Sequence, residues 1–387
     1  MDYKKWGLTF NLALISTSSA LYNLGFLVGT ALLILYLVNL GYSPFLAGAL
    51  VTFSRLVYSI AMMTTGSLSD RIGRKKPMIW GFALTALAML AMSIITNKSA
   101  VAILVVLIWL GFSLQSPAAS AAVSEMALLG KTAIAFGWYY ALISAAQVLG
   151  QVIAGVTVQN YGYSNALLLA GATAIGGTTL MFRYKERRHN ENASLNFYED
   201  LKHGVGIVRS DKRLQYLSAA LSVHSMGFFM SYTFIPLVAE VDQNLGKTAI
   251  GILLALFSVG SALALLPFAV ITNKIGGLNM LTWHLALSSM TWWIYPLLNS
   301  HGIIILLMTT LGIIGAMDMP ARRELMSYVP EKELGTAMGA LDSISITIGS
   351  LGALIAGALW EIGHWVPFVA SVFINATGIL FLLKLRR

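Results

Sequence analysis

The sequence predicts an all-α membrane protein with twelve transmembrane helices arranged as two pseudo-symmetric six-helix bundles. Three observations predict this fold: an apolar composition, twelve apolar stretches long enough to cross a bilayer, and an internal repeat that relates the two halves. Of the 387 residues, 57% are hydrophobic and only 11% are charged, and the mean hydropathy is +0.75. Soluble domains carry about 25% charged residues, so we expect this chain to be embedded in a lipid bilayer.

The charge and the reactive residues exclude several classes of protein. The formal net charge is +9, but the basic residues form short clusters between apolar stretches and no continuous stripe, which argues against a nucleic-acid binder. The chain has no cysteine, and its six histidines show no paired spacing. The sequence also offers no set of nucleophile and base and no phosphate-binding loop, so we expect no enzyme activity, no metal and no cofactor.

A transmembrane helix needs about 20 mostly apolar residues to cross about 30 Å of hydrocarbon. The first apolar stretch follows Lys4 and Lys5, as in a signal peptide, but it is too long and lacks a small-residue cleavage site, so we count it as a span. The twelve predicted spans cover about residues 7–38, 45–68, 77–96, 100–123, 133–158, 163–182, 214–238, 248–272, 278–299, 302–322, 334–359 and 365–384.

The distribution of lysine and arginine predicts the topology. With the termini and the central polar segment on one side of the membrane, 22 of the 25 basic residues lie on that side, and only Lys98 and Lys247 lie on the other, while Arg55 falls inside the second span. Basic residues accumulate in cytoplasmic loops. We therefore expect a multi-pass protein of the cell membrane with both termini in the cytoplasm.

The only long polar stretch, residues 183–213, separates the spans six and six. It predicts an N-terminal bundle at 1–182, a cytoplasmic linker, and a C-terminal bundle at 214–387. Apolar residues recur every three or four positions inside the linker, which favours an amphipathic helix on the inner leaflet, with a solvated tether as the alternative. These residues are Phe197, Leu201, Val205 and Val208.

The two halves of the chain align with each other at an offset of about 203 residues. Five matches occur in the same order, and they pair Ala47-Gly48 with Ile250-Gly251, Asp70-Arg71-Ile72-Gly73 with Asn273-Lys274-Ile275-Gly276, Pro117-Ala118 with Pro320-Ala321, Phe136-Gly137 with Met338-Gly339, and Gly150 to Gly155 with Gly352 to Gly357. Ordered matches at a nearly constant offset indicate two homologous halves, which is the architecture of a transporter whose halves rock.

The loop after the second span carries a specific motif. Residues 66–76 read Gly-Ser-Leu-Ser-Asp-Arg-Ile-Gly-Arg-Lys-Lys, which matches the signature G-x-x-x-D-R-x-G-R-[KR] between spans two and three of the major facilitator superfamily. With the twelve spans and the repeat, the whole chain resembles this family. The resemblance implies the major facilitator fold and transport by alternating access.

In that family this loop latches the cytoplasmic ends of the two halves together. The resemblance implies the same role for Asp70, Arg71 and Arg74, with Glu125 at the end of span four as their partner. Asp70 is placed to accept hydrogen bonds from Arg74 or from a helix N-terminus. Two glycines complete the motif, one expected to permit close helix approach and one a tight turn: Gly66 and Gly73.

An element in the fifth span hints at the direction of transport. Residues 150–155 resemble the GPxxGG element of drug-type proton antiporters in this superfamily, although Gln151 replaces the proline and Ala154 replaces a glycine. The arginine that these antiporters carry in span four is absent from residues 105–111. The element favours export, and the missing arginine argues against the usual coupling device.

Three ionisable side chains lie inside predicted spans: Arg55, Asp318 and Asp342. Each costs about 2.5 to 3.5 kcal/mol to insert, so each indicates a function unless it reaches an interface. We expect Asp318, and after it Asp342, to carry protons, and Arg55 to meet Asp342 in one state of the cycle. Each has an alternative explanation. Asp318 would form a helical ion pair with Arg322, Asp342 would reach the water on the cytoplasmic side of the membrane, and Arg55 would have a purely structural role.

Further polar residues are candidates for the substrate cavity. Three lie on one face of span five: Tyr140, Gln147 and Gln151. By resemblance, spans one, four, seven and ten line the cavity, which adds Asn11, Tyr22, Asn23, Gln115 and Tyr232. His224 in span seven is a further proton candidate because histidine titrates near neutral pH, and hydrogen-bonded packing is the alternative.

The sequence therefore predicts a secondary active transporter that moves a small organic solute, is driven by protons, and works as a monomer. We favour export of amphipathic compounds, because the cavity candidates are mainly amide, aromatic and apolar groups. An uptake symporter for a sugar, an organic acid or another nutrient is the first alternative. A non-transporting membrane sensor or scaffold is the alternative from another class.

Overall fold

The computed structural model of the chain describes residues 9–186 and 197–385. Within these ranges the backbone is helical with short connections and contains no strand, so the predicted fold class is confirmed. The helices are α1 (Phe10–Thr30), α2 (Leu33–Asn39), α3 (Pro44–Ile72), α4 (Lys75–Ile94), α5 (Lys98–Met126), α6 (Thr132–Met181), α7 (Phe197–Ser210), α8 (Lys212–Val241), α9 (Lys247–Ile275), α10 (Gly277–Trp292), α11 (His301–Gly315), α12 (Asp318–Leu325), α13 (Glu331–Trp360) and α14 (Val366–Lys384).

Ten helices of the described part are long and apolar enough to cross a membrane. Two features account for the difference from twelve predicted spans. The 50 residues of α6 contain a break at Gly162, where φ is 84° and ψ is 171°, so α6 holds spans five and six. The 16 residues of α10 are short, and span nine continues into a 3₁₀ turn at Tyr295–Leu297.

The chain forms two compact units. Unit 1 comprises Met1–Leu33 and Ile60–Asp200, and unit 2 comprises Ile34–Ser59 and Leu201–Arg387. The units therefore differ from the sequence halves, because α2 and the first part of α3 belong to unit 2. There Thr52 of α3 donates its hydroxyl to the carbonyl of Ser350 in α13 at 2.7 Å.

Equivalent glycines of the repeat make equivalent helix contacts in the two units. A Cβ added at Gly150 of α6 would lie 2.9 Å from the carbonyl oxygen of Leu24 in α1, and a Cβ added at Gly352 of α13 would lie 2.1 Å from that of Met226 in α8. In both cases the fifth span of a half packs directly on its first span. Small residues permit this close approach between membrane helices.

The helix α7 occupies part of the predicted linker and packs on unit 2. Val208 is buried in a core cluster with Leu214 and Leu217, and Gly204 lies against Ala340 of α13. Val205 remains exposed, and the side chains of Phe197 and Leu201 lie outside the described residues. At least one face of α7 therefore contacts protein, which differs from a helix lying only on lipid or a solvated tether.

Candidate functional site

The loop between α3 and α4 is organised around Arg74. Its guanidinium forms an ion pair with Asp70 one turn earlier, and its Nε lies 2.9 Å from Oε1 of Glu125 at the end of α5. Its Nη1 also donates to Oγ of Ser69 at 2.7 Å. Burial alone would lower the pKa of Arg74, but the hydrogen bonds and charges of Glu125 and Asp70 outweigh burial and hold that pKa above its ordinary value.

The same loop binds the segment that follows α6. Gly73 has φ +90°, and a Cβ there would lie 2.5 Å from Oε2 of Glu186. The Glu186 carboxylate accepts the backbone N–H groups of Arg74 and Lys75 at the start of α4, where it compensates unpaired amides and the helix dipole. The Nζ of Lys75 donates to the carbonyls of Phe182 and Tyr184 at 2.7 and 2.8 Å.

Three further predicted residues lie in or near this loop. A Cβ at Gly66 would meet no described atom within 4 Å, so no close helix approach occurs at Gly66 among the described residues. The side chain of Arg71 is exposed. Asn11, predicted as a cavity residue, donates its amide to the carbonyl of Lys185 at 3.0 Å and thus holds the segment after α6.

In unit 2 an arginine bridges the two predicted proton carriers. The Nε of Arg322 lies 2.7 Å from Oδ1 of Asp318, and its Nη1 lies 3.1 Å from Oδ1 of Asp342. Both acids come from predicted spans, Asp318 at the start of α12 and Asp342 within α13. We call Asp318, Arg322 and Asp342 the acid–arginine trio. The helical ion pair considered for Asp318 is present, and it extends to Asp342.

A second polar group lies among α8, α10 and α14. The Nε2 atoms of His224 and His284 are 2.9 Å apart, and Nδ1 of His224 lies 3.1 Å from Oδ1 of Asn375. The Nδ1 of His284 lies 2.8 Å from the carbonyl oxygen of Ile314. We call this chain of groups the histidine row. Sequence reasoning named only His224, because its partners come from distant helices and show no spacing pattern.

Arg55 contacts α8. Its Nη1 donates to Oγ1 of Thr233 at 3.1 Å, and its guanidinium lies 4.2 Å from the ring centroid of Phe229. Thr233 and Phe229 are four residues apart on one helix face, so they offer a hydroxyl and an aromatic face together. In this structure Arg55 makes this contact while Asp342 pairs with Arg322; the meeting of Arg55 with Asp342 in one state of the cycle stays a prediction.

The remaining cavity candidates divide by burial. Tyr22 is fully buried, stacks on Phe82 at 4.4 Å and shares a hydrogen bond with Thr85 at 3.0 Å, and its cavity role stays a prediction. Asn23 is also buried and donates to the Ser19 carbonyl. Gln115 and Gln151 are buried in unit 1, whereas Gln147 and Tyr232 are half-buried and Tyr140 is exposed.

The described residues contain no group of three or more His, Asp or Glu side chains that is arranged to hold a metal ion. Charged groups concentrate in the loop around Arg74 and in the acid–arginine trio.

Comparison with known proteins gives a family match and full-length relatives. The profile described as Major Facilitator Superfamily matches residues 13–246 and again residues 217–387. The chain is 25% identical to multidrug resistance protein 2 of Bacillus subtilis (strain 168) over 354 residues, which cover 86% of each protein. It is 23% identical over 387 residues to an uncharacterized MFS-type transporter of Methanocaldococcus jannaschii, covering 97% of this chain and 95% of that one.

Solved structures share the fold at low sequence identity. A peptide transporter POT in complex with alafosfalin aligns with a TM-score of 0.72 and 16% identity, covering 100% of this chain and 97% of that chain. The nucleoside transporter NupG aligns with a TM-score of 0.76 and 11% identity, covering 97% of this chain and 100% of that chain. At such identities the likeness concerns the fold alone.

Proposed function

The chain belongs to the major facilitator superfamily, and from this premise we propose that it exports amphipathic organic solutes by alternating access in exchange for protons. Membership makes it a multi-pass membrane transporter of small-molecule substrates and not an enzyme. The proposal adds the solute class, the direction of transport and the coupling ion.

The acid–arginine trio is the observation that carries the proton coupling. Arg322 binds two carboxylates on different helices, Asp318 on α12 and Asp342 on α13. When all three are ionised the trio holds one net negative charge, which is unfavourable in a low-dielectric setting. Binding one proton neutralises the trio and removes one of the two bridges. Which carboxylate takes the proton therefore decides whether Arg322 still joins α12 to α13. This choice links proton binding to conformation.

Three observations support export of amphipathic compounds. The relative of Bacillus subtilis is named as a multidrug resistance protein, and residues 150–155 resemble the drug-antiporter element. The third is a group of aromatic side chains near Arg55: Tyr232 stacks on Phe228 at 5.1 Å and lies against Phe257 at 5.2 Å. Such ring faces suit the flat apolar part of a solute.

The second candidate function is proton-coupled uptake of a nutrient. It is favoured by the absence of an arginine in residues 105–111 and by the position of both acids in the second half of the sequence. A sensor or scaffold is disfavoured by the charged loop around Arg74, because a protein that never cycles has little use for a latch.

We further propose that Asp70, Arg74 and Glu125 act as the cytoplasmic latch during the cycle. The protein would lie in the cell membrane as a functional monomer with both termini in the cytoplasm. The surplus of basic residues in the loops on that side supports this orientation.

The test is flux in proteoliposomes with and without an imposed pH gradient. Lipophilic cations, sugars and organic acids are tested in parallel assays, so that candidate export substrates and candidate uptake substrates are measured under the same conditions. We expect gradient-driven movement of the lipophilic cations. Asp318→Asn should abolish uphill movement but leave downhill exchange measurable. Asp242→Asn is the matched control, because Asp242 pairs with His364 outside the trio.

Two results would contradict the proposal. If Asp318→Asn and Asp342→Asn both retain full concentrative transport, protons are not carried by the trio. If only sugars or organic acids move, the uptake alternative replaces export.

A further inference from the structure

The histidine row is completely enclosed by unit 2. His284, His224 and Asn375 are 3%, 6% and 0% exposed, and they come from α10, α8 and α14. The row begins at the carbonyl of Ile314, near the end of α11, and ends at the Asn375 amide. Buried polar groups are stable only when their hydrogen bonds are made, so the hydrogens along this row can be counted.

Each of the three contacts requires one hydrogen. The carbonyl oxygen of Ile314 only accepts, so Nδ1 of His284 must carry a hydrogen. The 2.9 Å contact between the two Nε2 atoms needs one hydrogen. The oxygen Oδ1 of Asn375 also only accepts, so Nδ1 of His224 must carry the third. Two neutral imidazoles supply only two ring hydrogens. With Oδ1 of Asn375 facing His224, the row therefore makes all three hydrogen bonds only if it holds one proton more than two neutral histidines.

The row can lose that proton and still make all of its hydrogen bonds. If the Asn375 amide turns over, Nδ2 faces His224 and donates to Nδ1, and two neutral rings then satisfy every contact of the row. In the present orientation Nδ2 has no hydrogen-bond partner within the described part of the chain, so turning the amide breaks no bond made by Nδ2.

The backbone of α8 leaves room for either orientation. A Cβ added at Gly227 would lie 2.9 Å from both Nδ2 and Oδ1 of Asn375. The amide thus lies flat against bare helix backbone, and its two ends meet the same surface. Any larger residue at position 227 would push the amide away from His224.

The charged groups around the row come from the acid–arginine trio. Asp318 and Arg322 are the charged groups that act electrostatically on both rings. Asp342 reaches the row only through its bridge to Arg322. A protonated row would cancel the single negative charge of the ionised trio. The proton occupancy of the row and that of the trio are therefore linked electrostatically.

We propose that His224 and His284 together form a second proton-binding site, which takes up one proton as the Asn375 amide turns over. The use of this proton in transport rests on the proposed function, whereas its binding does not. The site is distinct from the trio and shares its electrostatic field.

The experiment counts ring hydrogens directly. The full chain, labelled with ¹⁵N-histidine, is placed in lipid nanodiscs, and its ring nitrogen signals are recorded from about pH 4 to about pH 9. His224→Gln and His284→Gln assign the signals, and His224→Asn replaces either variant that fails to fold. We expect three N–H groups on the two rings at low pH and two at high pH, with a coupling between the Nε2 nuclei. Two N–H groups at every pH would overturn the site.

A substitution at the end of the row sharpens the test. Asn375→Asp supplies a charge that accepts but cannot donate, so the extra proton should persist to a pH about 1 to 3 units higher. Ser371→Ala is the matched control, because Ser371 lies one turn earlier on α14 and bonds with Ser231 outside the row. Identical titrations of the Asn375→Asp and Ser371→Ala variants would overturn the proposal. Since no transport is measured, this result is independent of the flux test of the trio.

Discussion

The loops that follow the second span of each half, residues 70–75 and 273–277, share a glycine at positive φ and differ in their side chains. Gly73 has φ +90° and Gly276 has φ +81°. After each glycine a helix begins, and a glutamate caps its start: Glu186 accepts the backbone N–H groups of Arg74 and Lys75 at the start of α4, and Glu324 accepts that of Gly277 at the start of α10. The turn and its carboxylate cap are thus built in both units.

The side chains of the two loops diverge. The first loop has an ion-paired cluster of Asp70, Arg74 and Glu125, whereas the positions that align with these in the second loop are Asn273, Gly277 and Tyr328. Since the second loop folds into the same turn without the cluster, the cluster is not needed to make the turn. The charges of the first loop are therefore free to serve another purpose, which agrees with the latch role proposed for them.

The largest expected effect is on transport. Asp70→Asn should slow transport by about 5- to 150-fold, the range of a typical conformational coupling, while the reverse change in the second loop, Asn273→Asp, should leave it unchanged. Folding should survive, because Asp70 is 56% exposed and exposed ion pairs contribute only about 0–1 kcal/mol. Initial flux rates and thermal unfolding of both variants provide the measurement.

Because the chain has no cysteine, the labelling rate of a single introduced cysteine reports how accessible its position is during the transport cycle. With Tyr140→Cys as reporter, Asp70→Asn should raise the labelling rate from the cytoplasmic side, because the proposed latch no longer holds that side closed. An unchanged labelling rate would remove the latch assignment even if transport falls.

The next effect concerns the shared backbone. Gly276 has φ 81° and ψ 151°, a backbone region that essentially only glycine adopts, so Gly276→Ala should lower the free energy of unfolding by about 1–3 kcal/mol. This strain is the whole expected cost, because a Cβ there meets no described atom within 4 Å. Gly73→Ala should cost more, because its Cβ would also collide with the Glu186 carboxylate. Chemical unfolding of both variants in detergent measures the difference. Equal losses of unfolding free energy in the two variants would show that the Glu186 carboxylate adds nothing to the cost of a side chain at position 73.

The sequence predicted the parts of the molecule that follow from local patterns. Apolar stretches and the repeat were enough for the fold, and the motif spacing was enough to bring Asp70 and Arg74 together one turn apart. Glu186 was missed because it binds backbone N–H groups, which leave no signature in side-chain spacing.

Contacts that depend on packing between distant helices could not be predicted from the sequence. His284 and Asn375 meet His224 from α10 and α14, and no spacing links the three. Tyr22 is buried in this structure, and an aromatic in a packed core and one in a cavity look alike in an apolar span. The contact of Arg55 with the ring of Phe229 was missed, because an aromatic partner on another helix leaves no signature in sequence spacing.

The smallest expected effect tests whether the two carboxylate caps are equivalent. Glu186→Gln and Glu324→Gln each keep an oxygen that can accept from backbone N–H groups but remove the charge at a helix N-terminus. Such a charge contributes about 0.3–1 kcal/mol, so both variants should lose a similar, small amount of stability. Thermal unfolding at low and high salt separates the charge from the hydrogen bond, because salt screens only the charge. Transport should fall in Glu186→Gln alone, since its carboxylate contacts the loop that carries Asp70 and Arg74, while Glu324 contacts the loop that lacks this ion-paired cluster. Equal transport by the two variants would show that the Glu186 cap supports only the fold, and the functional difference between the loops would then rest on the ion-paired cluster alone.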